Sequence, residues 1–537
     1  MTESIPFKEL NIFSNLILDY IHQDDNVREF YKYAPLSSEI EKVIQARLEL
    51  LPIDANSSMD RKKLAETIKK QYHAIDHIPE QVTQNIVALE ESITFCVVTA
   101  HQLNIFGGPL YYIYKIAQTI STCKQLSAEY PNYNFVPVYW MGSEDHDFEE
   151  INHITLYNKR IQWSDYQKGS LGAYHPDTVL PLLDELQQLL GNVKYTEQLI
   201  SIFKSAYSQA TLSEATRYFV NAIFGEYGLV IVDGDDAVFK RQFIPVIKDD
   251  LLHNTSFKLV AQQIEALKEK GYGYQAMPRA INLFYIRENL RERIEFNQQT
   301  NCYVILNTEL SFSEEEMLNE LEQYPERFSP NVILRPLYQQ TILPSVAYIG
   351  GAGELSYWLQ LKLLFDFYGV SYPQLLLRNS VLLVNPNITN KISKLGFSIT
   401  HFFKDVEELK KDFINKSTDV DFDITAYKKQ IEFEFLKLQE HTKIFDATLA
   451  PAVGAELQRT LQGLDGVQKR IIKSLKHKND TELNQLEKIK QQLFPAKSLQ
   501  ERVENFSSYY AVYGPDFIHH LIADFDIYQK EFLLISL

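Results

Sequence analysis

Three times along this chain a short apolar run gives way to a glycine-bearing turn and then to apolar residues at helical spacing. The clearest case is residues 94–100, TFCVVTA, followed by the loop HQLNIFGGP and by Leu110, Ile113, Tyr114, Ala117 and Ile120. Pro109 fits the first turn of that helix, where a missing N–H costs nothing. The run FVPVYWMG comes next and again reads as a strand. The rhythm returns as YGLVIVDGDD before a helix around 239–252, and as LPSVAYIGGAGEL before one around 357–368. A further apolar run, LLLRNSVLLV, occupies 375–384. Strand, turn, helix and strand in succession build a parallel sheet with helices on its faces, so the fold class is α/β with a Rossmann-like parallel core. Within it, INLFYIRENLRERIEF reads as an antiparallel hairpin in an insertion.

Either side of this core the pattern is helical. Leu10, Phe13, Leu16, Ile17 and Tyr20 recur at helix spacing and 61–73 is rich in helix formers, which predicts a helical lead-in over 1–90 before the α/β core at 91–400. From about Asp405 the composition shifts to Lys, Glu, Gln and Leu. Ile424, Tyr427, Ile431, Leu438 and Phe445 approximate a heptad, Pro451 breaks it, and Leu461, Leu464, Val467, Ile471, Leu475, Leu486, Ile489 and Leu493 resume it. Residues 401–495 are therefore expected to form an antiparallel arm of two long helices, ended by Pro495, with 496–537 packing back on the core. Such a seam invites a second copy, so a homodimer through the coiled-coil arm is expected; an arm packed only within its own chain is the alternative.

Composition narrows the partners. A formal net charge of −17 repels phosphate backbones and anionic lipid head groups, which argues against nucleic acid and membrane. No apolar stretch approaches the roughly 20 residues that span a bilayer, and MTESIPFKEL resembles no secretory leader, so a cytoplasmic location is expected. Three cysteines, Cys96, Cys123 and Cys302, make neither a disulfide framework nor a zinc motif and are expected as buried thiols.

Ligands of open parallel sheets bind beyond the carboxyl ends of the strands. The first such loop holds His101, Gln102, Asn104, Gly107 and Gly108, and the N–H groups of the following helix would favour a phosphate or carboxylate there. A plain tight turn is the competing reading, since neither GxGxxG nor GxxxxGK[ST] occurs. Lys115, nearly two turns into the helix, either reaches that anion or is an ordinary surface lysine. His101-Gln-Leu-Asn104 also looks like the HxGH or HxGN element of class I aminoacyl-tRNA synthetases, with Leu103 where that element has glycine. At the next strand end WMGSEDHDFEE gathers Glu144, Asp145, His146 and Asp147. These could bind Mg²⁺, hold an ammonium, or act as acid and base, and their crowding should raise one carboxyl pKa and favour protonated His146; solvated loop residues are the plainer reading. His153 could add a metal ligand, but no spaced His/Cys set accompanies it, so no metal site is assigned. Gly350, Gly351 and Gly353 form a second candidate anion loop, with Arg335 and Arg378 as cations nearby in sequence, or else a packing turn. Asp233, Asp235 and Asp236 read as a helix-capping loop.

Taken together, VREFYKYAP, VVTAHQLNIFGGPLYYIYK, PVYWMGSEDHDFEEINH, EYGLVIVDGDD, INLFYIREN with RERI, and LFPAKSLQERVENF resemble the BshC family, cysteine ligases of bacillithiol biosynthesis, over essentially the whole chain. The chain departs from the family's commoner loop GQQxGLFTGP at Ala100, His101, Asn104 and Gly107. The resemblance implies a Rossmann-like core related to class I synthetases, a dimerising coiled-coil arm, and ligation of cysteine to the amine of glucosaminyl-malate. Joining a carboxylate to an amine in water is uphill, so ATP or another nucleotide is the expected activating cofactor, with Mg²⁺ as its candidate counterion. On this reading His101, Asn104, Gly107 and Gly108 face nucleotide phosphates or malyl carboxylates, while Asp145, His146 and Asp147 bind the cysteine ammonium or deprotonate the sugar amine. The alternatives are a non-catalytic coiled-coil scaffold that binds a nucleotide or thiol precursor, and a synthetase-like enzyme acting on tRNA, which the charge disfavours.

Overall fold

Strands that read as unbroken β-branched runs can only be stable where both of their faces are covered. The computed structural model describes residues 3–49, 60–417 and 424–537. Five largely apolar runs form one parallel sheet: β1 (Thr94–His101), β2 (Asn134–Met141), β3 (Val230–Asp233), β4 (Ser345–Gly350) and β5 (Gln374–Leu377), in the order β5-β4-β1-β2-β3. The helix α1 (Leu110–Glu129) crosses between β1 and β2 and is buried along most of its length. From the lead-in, helix Ser37–Glu49 lays Ile40, Val43 and Ile44 against Phe95, Val97, Val346, Ile349 and Leu376 of the sheet.

The edge strand β3 is closed by side chains instead of a further strand. Gln71 both accepts from the Asp233 N–H at 2.9 Å and donates to its carbonyl at 2.9 Å; the Ile231 N–H donates to the Tyr72 hydroxyl at 2.8 Å, and Arg217 donates to the Ile231 carbonyl at 2.6 Å. An open edge that would pair with another chain is thereby satisfied from within. The expected hairpin is present as Leu283–Arg287 and Leu290–Asn297, the centre of a five-stranded sheet with Cys302–Ile305, Ser311–Phe312 and Phe328–Pro330.

Several boundaries differ from the sequence reading. The run at 375–384 is two strands: β5 stays in the parallel sheet, whereas Val381–Val384 joins a three-stranded sheet with Glu3–Pro6 and Glu531–Ser536. Arg378 between them turns inward to Glu501, which also accepts from the Val381 N–H at 2.9 Å. Helix α2 (Arg335–Ile342) precedes β4, and the helix expected around 357–368 begins earlier, as α3 (Ala352–Trp358), and is interrupted before Lys362–Tyr368. Cys96 and Cys123 are buried, but Cys302, on an insertion strand, is partly exposed.

Contacts divide the chain into two compact units, one comprising the chain up to Leu382 with Gln500–Leu534, the other Leu383–Leu499 with Ile535–Leu537. In the second, α4 (Thr425–Phe445) folds back on α5 (Ala450–Lys478), tied by Gln439 donating to the Ala450 carbonyl at 2.9 Å and by a Lys428–Asp465 ion pair. Pro451 falls at the start of α5, where proline is tolerated. The second long helix of the sequence reading is in fact two, because Asn479 separates α5 from α6 (Asp480–Leu493). Residues 50–59 of the expected lead-in and 418–423 of the expected arm lie outside the described residues.

The Arg378–Glu501 pair is almost dry, at 6% and 1% exposure. Removing one partner strands a buried charge, so Glu501→Ala is expected to cost about 3–5 kcal/mol in urea denaturation, while Arg378→Met with Glu501→Leu regains most of it. A Glu501→Ala loss below 1 kcal/mol would exclude this role.

Candidate active site

The carboxyl ends of β1, β2 and β4 open onto a cavity of about 1000 Å³. Its walls include His101 at the end of β1 and Gln102 after it, Asp145, His146, Asp147 and Glu150 after β2, and Gly353 and Glu354 at the start of α3. The insertion contributes Phe284, Arg291 and Arg293, α2 contributes Arg335, and Arg279 and Arg502 complete the basic lining.

The first glycine loop does not present free N–H groups to this cavity. Pro109 has none, the Leu110 N–H donates to the Glu504 carbonyl at 2.8 Å, and the Gly107 and Gly108 N–H groups turn back to Asn104 and Ile105. Asn505 holds the loop from the other side, donating to the carbonyls of Phe106 and Gly108 at 2.9 and 2.6 Å. Gly108 sits at φ +57°, ψ −150°, a conformation essentially confined to glycine, with Asn104 where a β-carbon would point. Gly107 is likewise pressed against Phe219 and Phe506. These two glycines therefore make a packed turn and neither lines the cavity. Asn104 is buried and acts on the backbone, its amide donating to the Glu150 carbonyl at 2.8 Å. In the second loop the Gly351 N–H donates to Glu354 at 2.8 Å, Gly350 is packed against Leu355 and Tyr348, and of its three glycines Gly353 alone reaches the cavity wall.

Lys115 is neither a surface lysine nor a free anion ligand. It is 3% exposed, pairs with Glu354 at 2.7 Å and donates to the Ala100 carbonyl at 2.5 Å. Burial pulls its pKa down against the pull of Glu354. Glu354 takes a further hydrogen bond from the Tyr348 hydroxyl at 2.8 Å. Burial tends to raise its pKa, but Lys115 and these donors hold it below the usual range. His101 lies between the rings of Tyr111 and Tyr112, and burial followed by the neighbouring Lys115 charge lowers its pKa to about 3. Its Nδ1 is 3.2 Å from the Gln102 carbonyl, which can only accept, so the single proton sits on Nδ1 and the lone pair on Nε2.

The acidic cluster after β2 is divided by its partners. Glu144 leaves the cavity altogether and forms a buried ion pair with Lys240, whose ammonium also donates to the Phe328 carbonyl at 2.7 Å. Asp145 is gripped bidentately by Arg335, approached by Arg291 at 3.6 Å and by the Gln102 amide at 3.4 Å. Burial raises its pKa, but Arg335, Arg291 and Gln102 outweigh burial and hold the carboxyl below its usual range. The carboxyl whose pKa does rise is Glu150, through burial first and then the charges of Asp147 and Asp145. His146 is not favoured in its protonated form: burial and Arg291 lower its pKa despite the acids beside it. Asp236 caps the helix Ala237–His253, as the capping reading requires, and Asp233 binds Ser143.

Among the described residues, no ion pair engages Asp147, Glu150, Arg279, Arg293 or Arg502, so these are the charges left for a ligand. The arginines were missed because they are remote in sequence from the glycine loops. One signal was available: Arg291 and Arg293 sit two apart on a strand, hence on one face. Arg378, by contrast, is committed to Glu501. His153, at the start of the short strand His153–Leu156, faces Asn152 at 3.0 Å, and no group of three His, Cys, Asp or Glu among the described residues is placed to hold a metal ion. No helix among them is long and apolar enough to cross a membrane.

Comparison with known proteins gives a consistent match. A family model described as bacillithiol biosynthesis BshC, N-terminal Rossmann-like domain, matches residues 1–379, and one described as bacillithiol biosynthesis BshC, C-terminal coiled-coil domain, matches 381–537. A protein of Flavobacterium psychrophilum named "Putative cysteine ligase BshC" is 40% identical over 98% of this chain and 99% of its own. Proteins of the same name from Flavobacterium johnsoniae and Christiangramia forsetii are 40% and 39% identical, covering 100% of this chain and 100% and 99% of theirs.

Replacing Arg335 tests the Asp145 clamp. Arg335→Gln is expected to cost about 1.5–3 kcal/mol at pH 7, the range of a hydrogen bond to a charged group. Because the folded-state pKa of Asp145 is depressed, its stabilisation is present above the unfolded value of ~3.9 and is lost as the pH falls through the folded value. The gap between wild type and Arg335→Gln in urea denaturation should therefore be widest near neutrality and narrow below about pH 4. A gap unchanged down to pH 3 would mean that Arg335 contributes by packing alone.

Proposed function

The chain belongs to the bacillithiol-biosynthesis BshC family, and on that premise we propose that the cavity above β1, β2 and β4 joins cysteine to the amine of glucosaminyl-malate. One observation carries the reading: a single cavity with two unpaired carboxylates, Asp147 and Glu150, and three unpaired guanidinium groups, Arg279, Arg293 and Arg502. A ligand that carries both an ammonium and several carboxylates is complementary to that set of charges.

Asp147 and Glu150 then hold the cysteine ammonium and receive the proton of the attacking amine. Glu150 suits the second role because its raised pKa makes it the better base of the acids here. Arg279, Arg293 and Arg502 take the malyl carboxylates and any phosphate. ATP, as a co-substrate, would activate the cysteine carboxylate, whose oxygen bonds to a phosphorus as pyrophosphate or ADP leaves; the first glycine loop turns its N–H groups away from the cavity, so the arginines take up phosphate charge there. In the amide-forming step the amine nitrogen bonds to the acyl carbon, the carbon–oxygen bond to the phosphoryl leaving group breaks, and the amine proton passes to Glu150. Asp145 serves by position, holding Arg335 and Arg291, and His101 by its uncharged ring. We further infer a cytoplasmic enzyme, where thiols stay reduced, that pairs with a second copy through the arm; Tyr427, Phe433, Leu438, Ile444 and Phe445 on α4 are exposed apolar residues suited to that.

Purified protein with cysteine, glucosaminyl-malate, ATP and Mg²⁺ is expected to form bacillithiol, measured by mass spectrometry, with matching AMP or ADP release. Glu150→Gln and Asp147→Asn should each lower kcat about 10²-fold while folding normally. Near-normal turnover in both would remove these roles, and no product with any nucleotide would leave the non-catalytic scaffold. Light scattering should give twice the 62.4 kDa chain mass; a monomer would end the dimer reading.

A further inference from the structure

The side of His146 that faces Arg291 determines which side of the ring can do chemistry. Nη1 of Arg291 lies against Nδ1 of His146. A guanidinium has five N–H groups and no lone pair to offer, so it can only donate, and Nδ1 can only accept. The one proton of a neutral ring must then be on Nε2, where no partner is found among the described residues and where the ring borders the cavity. Protonating His146 would set an N–H against an N–H and a cation against a cation. The charges around the ring are Arg291, which opposes protonation, and Asp145, Asp147 and Glu292, which favour it; with burial, the opposing side prevails.

Arg291 is itself fixed. It is 6% exposed, stacks 3.8 Å from the Phe284 ring centroid, and reaches Asp145 at 3.6 Å and Ser329 at 3.5 Å. Strand and ring both come from the insertion hairpin, 145 residues away in sequence from His146. His101 carries the opposite tautomer, with its lone pair on Nε2.

We propose that Arg291 is a positioning residue that fixes His146 as the neutral Nε2–H tautomer, so that His146 serves as a hydrogen-bond donor to the acyl oxygen of the activated cysteine and not as the base for the amine. This rests on the ligation reading for its substrate, though not for its tautomer. A neutral donor strengthens its bond as negative charge develops on that oxygen and gives up no proton in doing so. The ring resembles the donors of an oxyanion site in this respect, and it leaves proton acceptance to the carboxylates.

Two measurements test it independently. In full-length protein labelled with ¹⁵N-histidine, with His146 assigned by its loss in His146→Asn, Nδ1 should appear unprotonated and Nε2 protonated throughout pH 6–8. In Arg291→Met the two nitrogens should move toward each other and titrate nearer the ordinary value of ~6.5. A protonated Nδ1 in the wild type, or an unchanged tautomer in a folded Arg291→Met, overturns the proposal; the wild-type spectrum decides even if that variant does not fold. In the ligation assay His146→Gln, which keeps a donor near the Nε2 position, should retain about tenfold or more of the turnover of His146→Ala. Equal losses in the two would overturn the donor role. Absence of any ligation with the tautomer as described would instead overturn the reading of the substrate.

Discussion

A carboxylate withdrawn from water at a strand end cannot stay charged alone, and Asp145 is that group here. Its charge is met by Arg335 from α2 and Arg291 from the antiparallel insertion, which fixes how both elements approach the end of β2. Arg291 in turn reaches His146, and Gln102 at the end of β1 reaches Asp145. Four segments far apart in sequence are thus joined through one partly buried negative charge. The same demand recurs where Glu144 and Lys240 pair out of reach of the cavity, and in its lining, where Lys115 and Glu354 do.

These pairs explain why the most conspicuous polar residues are not the ones available to a ligand. A buried charge with a good partner is the harder to use, since a ligand must displace that partner. The N–H groups of Gly107, Gly108, Leu110 and Gly351 are likewise occupied, by Asn104, Ile105, Glu504 and Glu354. What remains for a ligand is the set without an ion-pair partner among the described residues: the carboxylates Asp147 and Glu150 and the guanidinium groups of Arg279, Arg293 and Arg502.

The fold was legible because its cause is local. Runs such as TFCVVTA and FVPVYWMG carry their strand character in their own residues, and a parallel sheet then places the ends of β1 and β2 side by side. That adjacency was enough to bring His101, Gln102, Asp145, His146 and Asp147 into one region. Their partners were not legible, because a salt bridge between Arg335 and Asp145 leaves no periodicity in either segment. The lysine at 115 looked like a surface residue for the same reason: Glu354, which makes its burial tolerable, lies on another helix. The break at Asn479 and the division of 375–384 escaped because heptad spacing and apolar runs report burial and say little about where the backbone turns.

The acidic balance of the chain and the basic lining of its cavity are compatible because they act over different distances. At physiological ionic strength charges are screened over roughly 8 Å, so the total of −17, spread over the whole chain, weighs less on a ligand than the charges that line the cavity itself. Of the charged residues lining the cavity, Arg335 is cancelled by Asp145 and Lys115 by Glu354. The remainder, Arg279, Arg291, Arg293 and Arg502 against Asp147 and Glu150, is net basic. An anionic ligand bearing one amine therefore meets its attraction inside the cavity, from charges of both signs. Protonated His146 would add to that attraction; the contact with Arg291 forgoes it and keeps the ring neutral. Catalysis by a fixed, uncharged donor needs its proton to be in place before the substrate arrives, and the guanidinium beside Nδ1 meets that requirement at no cost in proton transfer.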